Sequence, residues 1–547
     1  MDATVELPAR DSVPGESQWD LSGLYTTGDK WREDFTFLES AVSGYAGFVG
    51  TLSRSAAAIK ACLEFDLGIS RKVDALYTYA HLKNDEDQTH TSNQENFENV
   101  MSLHTRIMEA RSFFASELMS VPENRVTVFL QDKELEPYRF HLEQILRFRK
   151  HTLSEREESI LAASAELART SQSAFSMLDN ADLKLGKVKD ELGRETLITH
   201  GNYQSLLQNH DRRVRRETFD MYYSAYKDHQ YTYASLLSGS IKKDLFYSRT
   251  RNYGSSFEKA MFSENLPEAV YDNLIKTVRE NLAPLYKYFA LRKRILGLEA
   301  LHTYDTSVPL VKDFQWHMNY SDAVETILTA LVPLGESYVA SLKKGLTESR
   351  WVDRYENKGK RSGAYSSGCY DSNPFILMNY REDNINSIYT LAHEAGHSMQ
   401  SYYSRKTQPY QYADYTIFAA EVASTFNEAL MTRHLLSQNA QRNASPSLPG
   451  NNMEIYLVCR EIDNIRGTLY RQAMFAEFEY KIHSAAAGNQ ALTVDSFKTI
   501  YRQLLELYFG GGVVLDDNLS LECFRIPHFY SNFYVYKYAT GLSAAYA

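Results

Sequence analysis

The sequence predicts a mainly α-helical protein. Apolar residues recur at helical spacing along most of its 547 residues, and only 26 glycines and 13 prolines interrupt them. With 44% hydrophobic residues, a chain of this length can bury a large core and is expected to form more than one substructure. Long helices joined by short loops follow from these observations.

The predicted elements follow one another along the chain. A helical pattern runs from Leu266 to Leu296, with Pro267 in its first turn and Pro284 breaking or kinking it. Turn residues then mark the segment Lys358–Tyr380, whose end from Pro374 onwards has the composition of a strand. This segment is the chief predicted exception to helix.

Two further helices follow the strand. The stretch Asp383–Ser404 opens with residues that commonly cap helices and continues with apolar residues at helical spacing. The next helix begins near Tyr415 and carries Glu421 and Glu428 beside its apolar stripe. After it, residues 439–452 are rich in Asn, Ser, Pro and Gly, which predicts a surface loop.

The first of these two helices contains the motif His-Glu-Ala-Gly-His at 393–397. Positions i and i+4 lie on one face of a helix, so His393 and His397 can bind the same metal ion, with Glu394 beside it. Two imidazoles and a carboxylate leave a fourth position of Zn²⁺ open to water, whose pKa the metal lowers towards neutrality. The candidate reaction is metal-assisted hydrolysis, and the motif itself leaves open whether Glu421 or Glu428 is the third ligand.

Composition excludes several other classes of protein. A net charge of −10 and a pI near 5.9 argue against a general nucleic-acid or anionic-membrane surface, and the basic run at 212–217 is expected to be a solvated, ion-paired helix face rather than a binding patch. The four cysteines are widely spaced, so neither a disulfide framework nor a thiolate zinc site is expected. No signal-peptide pattern or membrane-spanning apolar run is present in the sequence, which favours a cytoplasmic protein.

Three motifs resemble one known family. They are LAHEAGHSMQSYYSRKTQPY at 391–410, FAAEVASTFNEAL at 418–430 and HFYSNFYVYKYATG at 528–541, and SQWDLSGLY at 17–25 adds a weaker match. Together they resemble the oligoendopeptidase F branch of the zinc metallopeptidases that include thimet oligopeptidase and neurolysin. The resemblance implies an elongated, two-lobed helical fold with a deep central cleft and a small β-sheet beside the motif helix.

The resemblance also implies roles for individual residues. His393, His397 and Glu421 would bind one Zn²⁺ per chain, and Glu394 would be the general base. His528 and Tyr536 would stabilise the oxyanion, with Tyr530 a weaker candidate because this chain lacks the glycines that distant relatives have before their tyrosines. Gly510–Gly512 is expected to be either a mobile loop over the site or a plain turn.

The strand-like segment has two interpretations. A strand edge beside the metal can bind a peptide backbone through main-chain hydrogen bonds, whatever the side chains, but an ordinary small sheet would have the same sequence signature. By resemblance, the candidates for peptide contact are Gly363, Ala364, Tyr365 and Ser366.

The predicted function is a zinc endopeptidase that cleaves short oligopeptides. The family pattern divides the chain into an N-terminal helical region at 1–110, a helical oligopeptidase region at 111–195 and a catalytic region at 196–547. Two alternatives remain: a zinc carboxypeptidase of related helical fold, and a non-catalytic helical scaffold that binds peptides. An intact Glu394 argues against the scaffold, since a structural metal site has no use for a general base.

Overall fold

The computed structural model describes residues 7–312, 314–443 and 452–547, and within them the chain is mainly helical. The α-helices of these residues are α1 Gly28–Ala41, α2 Ala56–Glu86, α3 Thr91–Arg111, α4 Phe113–Ser120, α5 Glu123–Leu130, α6 Arg139–Leu146, α7 Glu155–Ala163, α8 Ala165–Ala168, α9 Thr170–Met177, α10 His200–Leu207, α11 Arg212–Asp228, α12 Gln230–Thr250, α13 Ser256–Ser263, α14 Glu268–Glu280, α15 Ala283–Ile295, α16 Tyr320–Ala330, α17 Glu336–Leu346, α18 Ile385–Thr407, α19 Ile417–Asn443, α20 Asn452–Ile465, α21 Arg471–Ala487, α22 Val494–Phe509 and α23 Tyr536–Tyr546.

Five short strands form two small sheets within the described residues. The strands are β1 Lys187–Lys189, β2 Glu195–Leu197, β3 Val352–Asp353, β4 Tyr365–Ser367 and β5 Phe375–Leu377. Strands β1 and β2 pair as an antiparallel hairpin, whereas the second sheet has the order β3-β5-β4, with β5 parallel to β3 and antiparallel to β4. Strand β4 is therefore an edge strand among the described residues, which leaves one of its sides available for pairing.

The described residues divide into two compact units, one made of residues up to 152 and 315–442 and the other of residues 153–314 and 443–545. In the first unit, α1, α2 and α3 pack around buried apolar residues such as Trp31, Leu76 and Ile107. In the second, α21 packs on α22, α12 and α14, and its core contains Tyr271, Phe478 and Tyr501, all completely buried. The predicted mainly helical fold with a small sheet is confirmed, while the predicted cleft and the three sequence regions stay predictions.

The N-terminal stretch anchors the β3-β5-β4 sheet within the first unit. Arg10 donates to both carboxylate oxygens of buried Asp353 on β3, and the Trp19 indole N–H donates to Glu86 at the end of α2, at 2.6 Å. The Trp19 ring also contacts Phe375 of β5 edge-on, with 6.3 Å between the ring centroids. The SQWDLSGLY segment thus helps to fix the sheet that precedes the motif helix.

Most predicted elements are present, with shifted ends. The helical pattern at 266–296 is two helices, α14 and α15, with Pro284 in the first turn of the second, as its missing N–H allows. The glycines at 510–512 form one turn of 3₁₀-helix. The predicted loop at 439–452 is wrong at its start, because α19 continues to Asn443, and residues 444–451 lie outside the described residues.

The basic run at 212–217 opens α11 and is largely ion-paired. Arg212 and Arg215 both contact the fully buried carboxylate of Asp305, and Arg213 pairs with Glu217 four residues on. Arg215 is itself buried, so this part of the run belongs to the interior of its unit rather than to a solvated face. No helix of the described residues is both long and apolar enough to cross a membrane.

Candidate metal centre

Helices α18 and α19 carry the proposed metal ligands. Asn384 caps α18 by accepting a hydrogen bond from the Asn386 N–H, which starts the helix at Ile385, as the cap residues of the sequence predict. His393 and His397 then lie one turn apart on α18, and Glu421 lies in the second turn of α19. The four-residue spacing of the two histidines therefore places them on the same face of α18, as helix geometry requires.

The three side chains converge. One oxygen of Glu421, Oε2, lies 3.5 Å from His393 Nε2 and 3.7 Å from His397 Nε2, and the three ligand atoms all lie within 4.8 Å of one another. Ligand bonds of about 2.0–2.1 Å in a tetrahedral zinc site place neighbouring ligand atoms roughly 3.3–3.4 Å apart. The donor set and its spacing thus fit one zinc ion. Within the described ranges, this is the sole cluster of three such ligands.

A glycine between the histidines lets the two helices approach. A Cβ atom at Gly396 would lie 2.6 Å from the carbonyl oxygen of Ala423 and 2.6 Å from the Cα of Ser424, both backbone atoms of α19. The buried side chain of Asn427 adds a direct link by donating to the Ala392 carbonyl at 3.0 Å. Neither residue was predicted from the sequence, although a glycine inside a helix pattern often marks close packing.

Two residues of α19 orient the ligands. Glu428 Oε1 accepts a hydrogen bond from His393 Nδ1 at 2.8 Å, which leaves Nε2 of that ring facing Glu421. The hydroxyl of Ser424 donates to Glu421 Oε2 at 3.0 Å. Glu428 therefore contacts a ligand rather than joining the ligand cluster, and this geometry favours Glu421 as the third ligand.

The general-base candidate Glu394 is buried beside the ligands, with 7% of its surface exposed. Burial raises the pKa of its carboxyl to about 7, while the positive charge of His393 and a hydrogen bond from the Ser366 backbone N–H act in the opposite direction. A divalent cation next to this group would lower its pKa from that raised value, since it stabilises the carboxylate. Glu394 is thus a buried carboxyl group placed beside the candidate ligands, where it could exchange a proton with a bound water molecule.

The predicted peptide-contact residues form β4 and the turn before it. Gly363 has φ of +85°, and its carbonyl accepts a hydrogen bond from Asn379. The Tyr365 hydroxyl donates to Asp85 of α2 at 2.8 Å, and the Ser366 hydroxyl lies 2.8 Å from that of Ser398 on the motif helix. The side chain of Tyr365 therefore holds β4 against α2, and the side chain of Ser366 holds it against α18.

The predicted oxyanion donors lie in the second unit, in the segment that leads into α23. His528 is half-buried, and burial lowers its pKa, which favours the neutral ring. Its ring stacks on Tyr534, at 5.6 Å between centroids, and its Nε2 lies 3.4 Å from the Tyr538 hydroxyl. We call His528, Tyr534 and Tyr538 the donor cluster.

The two tyrosines predicted as oxyanion donors, Tyr536 and Tyr530, lie outside the donor cluster. Tyr536 is completely buried and packs against Tyr271, with ring centroids 5.1 Å apart. Tyr530 is 3% exposed and stacks on Phe175 at 4.4 Å. The structure therefore groups His528 with Tyr534 and Tyr538, a grouping that was not predicted because the register of closely spaced tyrosines cannot be decided from the sequence alone.

Comparison with known proteins identifies the family. The model of Peptidase family M3 matches residues 205–547, and the model of Oligopeptidase F matches residues 117–184. The chain belongs to peptidase family M3. It is 42% identical to oligopeptidase PepF of Bacillus subtilis over 543 residues, covering 99% of this chain and 79% of that protein. It is also 38% identical to group B oligopeptidase PepB of Streptococcus agalactiae, covering 98% and 87%.

Solved structures place the fold in the same M3 family. The crystal structure of a peptidase from Chlamydophila abortus has a TM-score of 0.90 at 36% identity, covering 98% of this chain and 88% of that one. Oligoendopeptidase-F from Enterococcus faecium has a TM-score of 0.70 at 32% identity, covering 95% and 87%. As a family M3 member of the oligopeptidase F type, the chain is a metallopeptidase, and the clustered His393, His397 and Glu421 are its candidate zinc ligands.

Proposed function

We propose that this family M3 peptidase hydrolyses internal bonds of short peptides, with His393, His397 and Glu421 holding one zinc ion per chain. The observation that carries the proposal is the convergence of these three ligand atoms within 4.8 Å beside the buried carboxyl of Glu394. When bound, zinc would act as a Lewis acid and lower the pKa of a water molecule in its open position.

Glu394 supplies the proton transfers in this proposal. Its carboxylate takes a proton from the attacking water and returns it to the amine nitrogen that leaves with the second product. The Ser366 N–H holds that carboxylate, so the base is fixed to the edge of β4 as well as to α18. Burial raises the pKa of this carboxyl above the usual range of a glutamate and so favours proton uptake, while a bound zinc ion would act in the opposite direction and favour proton release.

The open side of β4 is proposed to bind the substrate backbone. Its place at the end of the β3-β5-β4 sheet supports this role, because an extended peptide can add there as a further strand. Main-chain pairing needs no particular side chain, which suits a peptidase of many short sequences. Gly363, Ala364, Tyr365 and Ser366 are the residues in the proposed contact, in which the Ser366 N–H is already donated to Glu394.

The donor cluster is proposed to stabilise the negative charge that develops on the carbonyl oxygen during attack. His528 keeps the role that the family resemblance implies. For the tyrosine, the sequence assigns Tyr536, whereas contact with His528 and partial exposure favour Tyr538. Replacement of each tyrosine by phenylalanine decides between them.

A peptide blocked at both termini tests the endopeptidase activity. Mass spectrometry of the products should show cuts at internal bonds, because attack on a central amide requires neither terminus. Stepwise removal of single C-terminal residues from the same peptide with a free carboxylate, and no cleavage of the blocked one, would favour the carboxypeptidase alternative.

Metal content tests the site itself. The purified protein should contain about one zinc per chain, and chelation should abolish hydrolysis while leaving the helical circular dichroism signal, because both units have large cores without the metal. Glu421→Ala should lose zinc at concentrations that saturate the wild type. A protein that cleaves peptide after its zinc is removed would contradict the proposed mechanism.

A further inference from the structure

A buried carboxyl group holds a strained turn in the second unit. Phe533 has φ of +50°, a left-handed backbone conformation that is rare for a bulky residue. Its N–H donates a hydrogen bond of 2.6 Å to Oε1 of Glu479, which lies on α21 and is completely buried. The two residues are 54 positions apart, so this contact belongs to the tertiary fold.

Strained conformations persist only where the surrounding structure over-determines them. At Phe533 the ring supplies part of that constraint, since it is 1% exposed and contacts the rings of His483, Phe257 and Tyr271 at centroid distances of 4.8, 5.2 and 5.9 Å. The Glu479 carboxyl supplies the rest, because it is the acceptor for the N–H of the strained residue.

The turn at Phe533 fixes the direction of the donor cluster. Tyr534 follows directly in the chain and stacks on His528, and Tyr538 contacts both rings, at 5.5 and 5.8 Å between centroids. If Phe533 relaxed to a negative φ, the chain at Tyr534 would leave in another direction and the stacking on His528 would be lost. The orientation of the three half-buried side chains of the donor cluster thus depends on the hydrogen bond from the Phe533 N–H to Glu479.

We propose that Glu479 is a positioning residue for hydrolysis: by accepting the Phe533 N–H, it holds the turn that orients His528, Tyr534 and Tyr538. The proposal rests on the role of the donor cluster given under the proposed function. Glu479 touches neither substrate nor metal in this account and acts through the backbone of the turn.

The protonation of Glu479 guides the choice of variants. Burial is the largest effect and raises its pKa well above the usual range; the hydrogen bond from the Phe533 N–H is the next largest and lowers the pKa, while Asp244 raises it and Lys537 lowers it. Burial thus favours the uncharged carboxyl, and glutamine reproduces the shape of this group and an accepting oxygen without carrying a charge. Methionine keeps a similar volume but cannot accept the Phe533 hydrogen bond.

The experiment measures kcat and KM for Glu479→Gln and Glu479→Met in the zinc-loaded enzyme. Glu479→Gln should stay within about threefold of the wild-type kcat, whereas Glu479→Met should lose tenfold or more in kcat with KM nearly unchanged, because the donors act in the transition state. A wild-type kcat in Glu479→Met, or equal losses in both variants, would overturn the proposal.

A matched variant separates positioning from general destabilisation. Ile482→Ala removes a completely buried side chain from the same helix and should lower the melting temperature without lowering kcat at temperatures where the protein is folded. Should methionine prevent folding, Glu479→Asp withdraws the carboxyl by one methylene and must still lower kcat. A wild-type kcat for Glu479→Asp, or a kcat in Ile482→Ala as low as in the Glu479 variant, would overturn the inference.

A double variant distinguishes this inference from the function on which it rests. Since Glu479 acts through the cluster, Glu479→Met combined with His528→Ala should lose little more kcat than His528→Ala alone. Fully additive losses would contradict positioning. If His528→Ala leaves kcat unchanged, the role of the donor cluster fails; if His528→Ala lowers kcat and Glu479→Met does not, the positioning role alone fails.

Discussion

The metal ligands and the proposed oxyanion donors are held in place in different ways. His393 and His397 lie on one face of a regular helix, so a spacing of four residues sets their relation before any tertiary contact forms. His528 and Tyr534 lie in an irregular segment that leads into α23, and a strained residue between them is held from another helix, α21. Helix geometry orders the first pair, and long-range contacts order the second.

This difference sets what a change to each region is expected to do. On α18, a replaced side chain leaves the backbone in place, so loss of function should reflect the chemistry of the missing group. In the segment that carries the donor cluster, replacement of a distant residue such as Glu479 can move several functional groups at once. Single replacements in each region test this contrast.

Glu394→Gln should give the largest loss of activity. The amide cannot accept a proton from water, so kcat should fall by about 10²–10⁴-fold or more, while the ligands and their helices stay in place and zinc is retained. Turnover and zinc content are measured on the same sample. Glu382→Gln, which removes a partly exposed carboxylate just before α18, is the matched control and should behave as wild type. Loss of zinc in Glu394→Gln would contradict a purely chemical role.

The next effect concerns the donor tyrosine. Removal of one oxyanion donor costs about 10²–10³-fold in kcat. Tyr538→Phe should show a loss of this size, because its hydroxyl lies against His528, and Tyr536→Phe should show much less, because Tyr536 is completely buried. Steady-state kinetics on one short peptide measures both. The reverse order would restore the assignment that the sequence alone favours.

The contrast also explains how much the sequence could predict. The motif helix, its cap at Asn384 and the three metal ligands follow from local spacing and from the family resemblance, and the structure brings those ligands together. The grouping of His528 with Tyr534 and Tyr538 could not be predicted, because it depends on the positive φ of Phe533 and on a contact with Glu479, 54 residues away. Neither feature has a local signature in the sequence.

A smaller effect is expected from Glu428, which orients His393 without joining the ligand cluster. Loss of a hydrogen-bond partner of a metal ligand typically costs 10- to 100-fold in metal affinity or activity, so Glu428→Ala should weaken zinc binding by about that factor. Zinc affinity is measured by competition with a chelator. Glu421→Ala, which removes a ligand, is the comparison and should bind zinc more weakly still. If Glu428→Ala loses zinc and Glu421→Ala keeps it, the assignment of the third ligand is wrong.

The smallest effect tests whether the helical region also depends on a tertiary contact. In Gly396→Ala, the new Cβ would meet two backbone atoms of α19, which cannot rotate away, so α19 must shift. Overpacking of this kind costs about 1–3 kcal/mol of unfolding free energy. Because Glu421 lies on α19 and its ligand partners lie on α18, the same shift should also weaken zinc binding.

Gly68→Ala is the matched control, since Gly68 also lies inside a helix of the first unit but has open space where a Cβ would be added. Alanine there should leave zinc affinity unchanged and raise stability by about 0.5–1 kcal/mol, because glycine loses more backbone entropy on folding. Urea unfolding and zinc titration of both variants measure the contrast. Equal stability and equal zinc affinity in the two would mean that α18 and α19 can separate without cost. In that case the metal ligands would depend on helix spacing alone, and the difference between the two regions would be larger than the structure indicates.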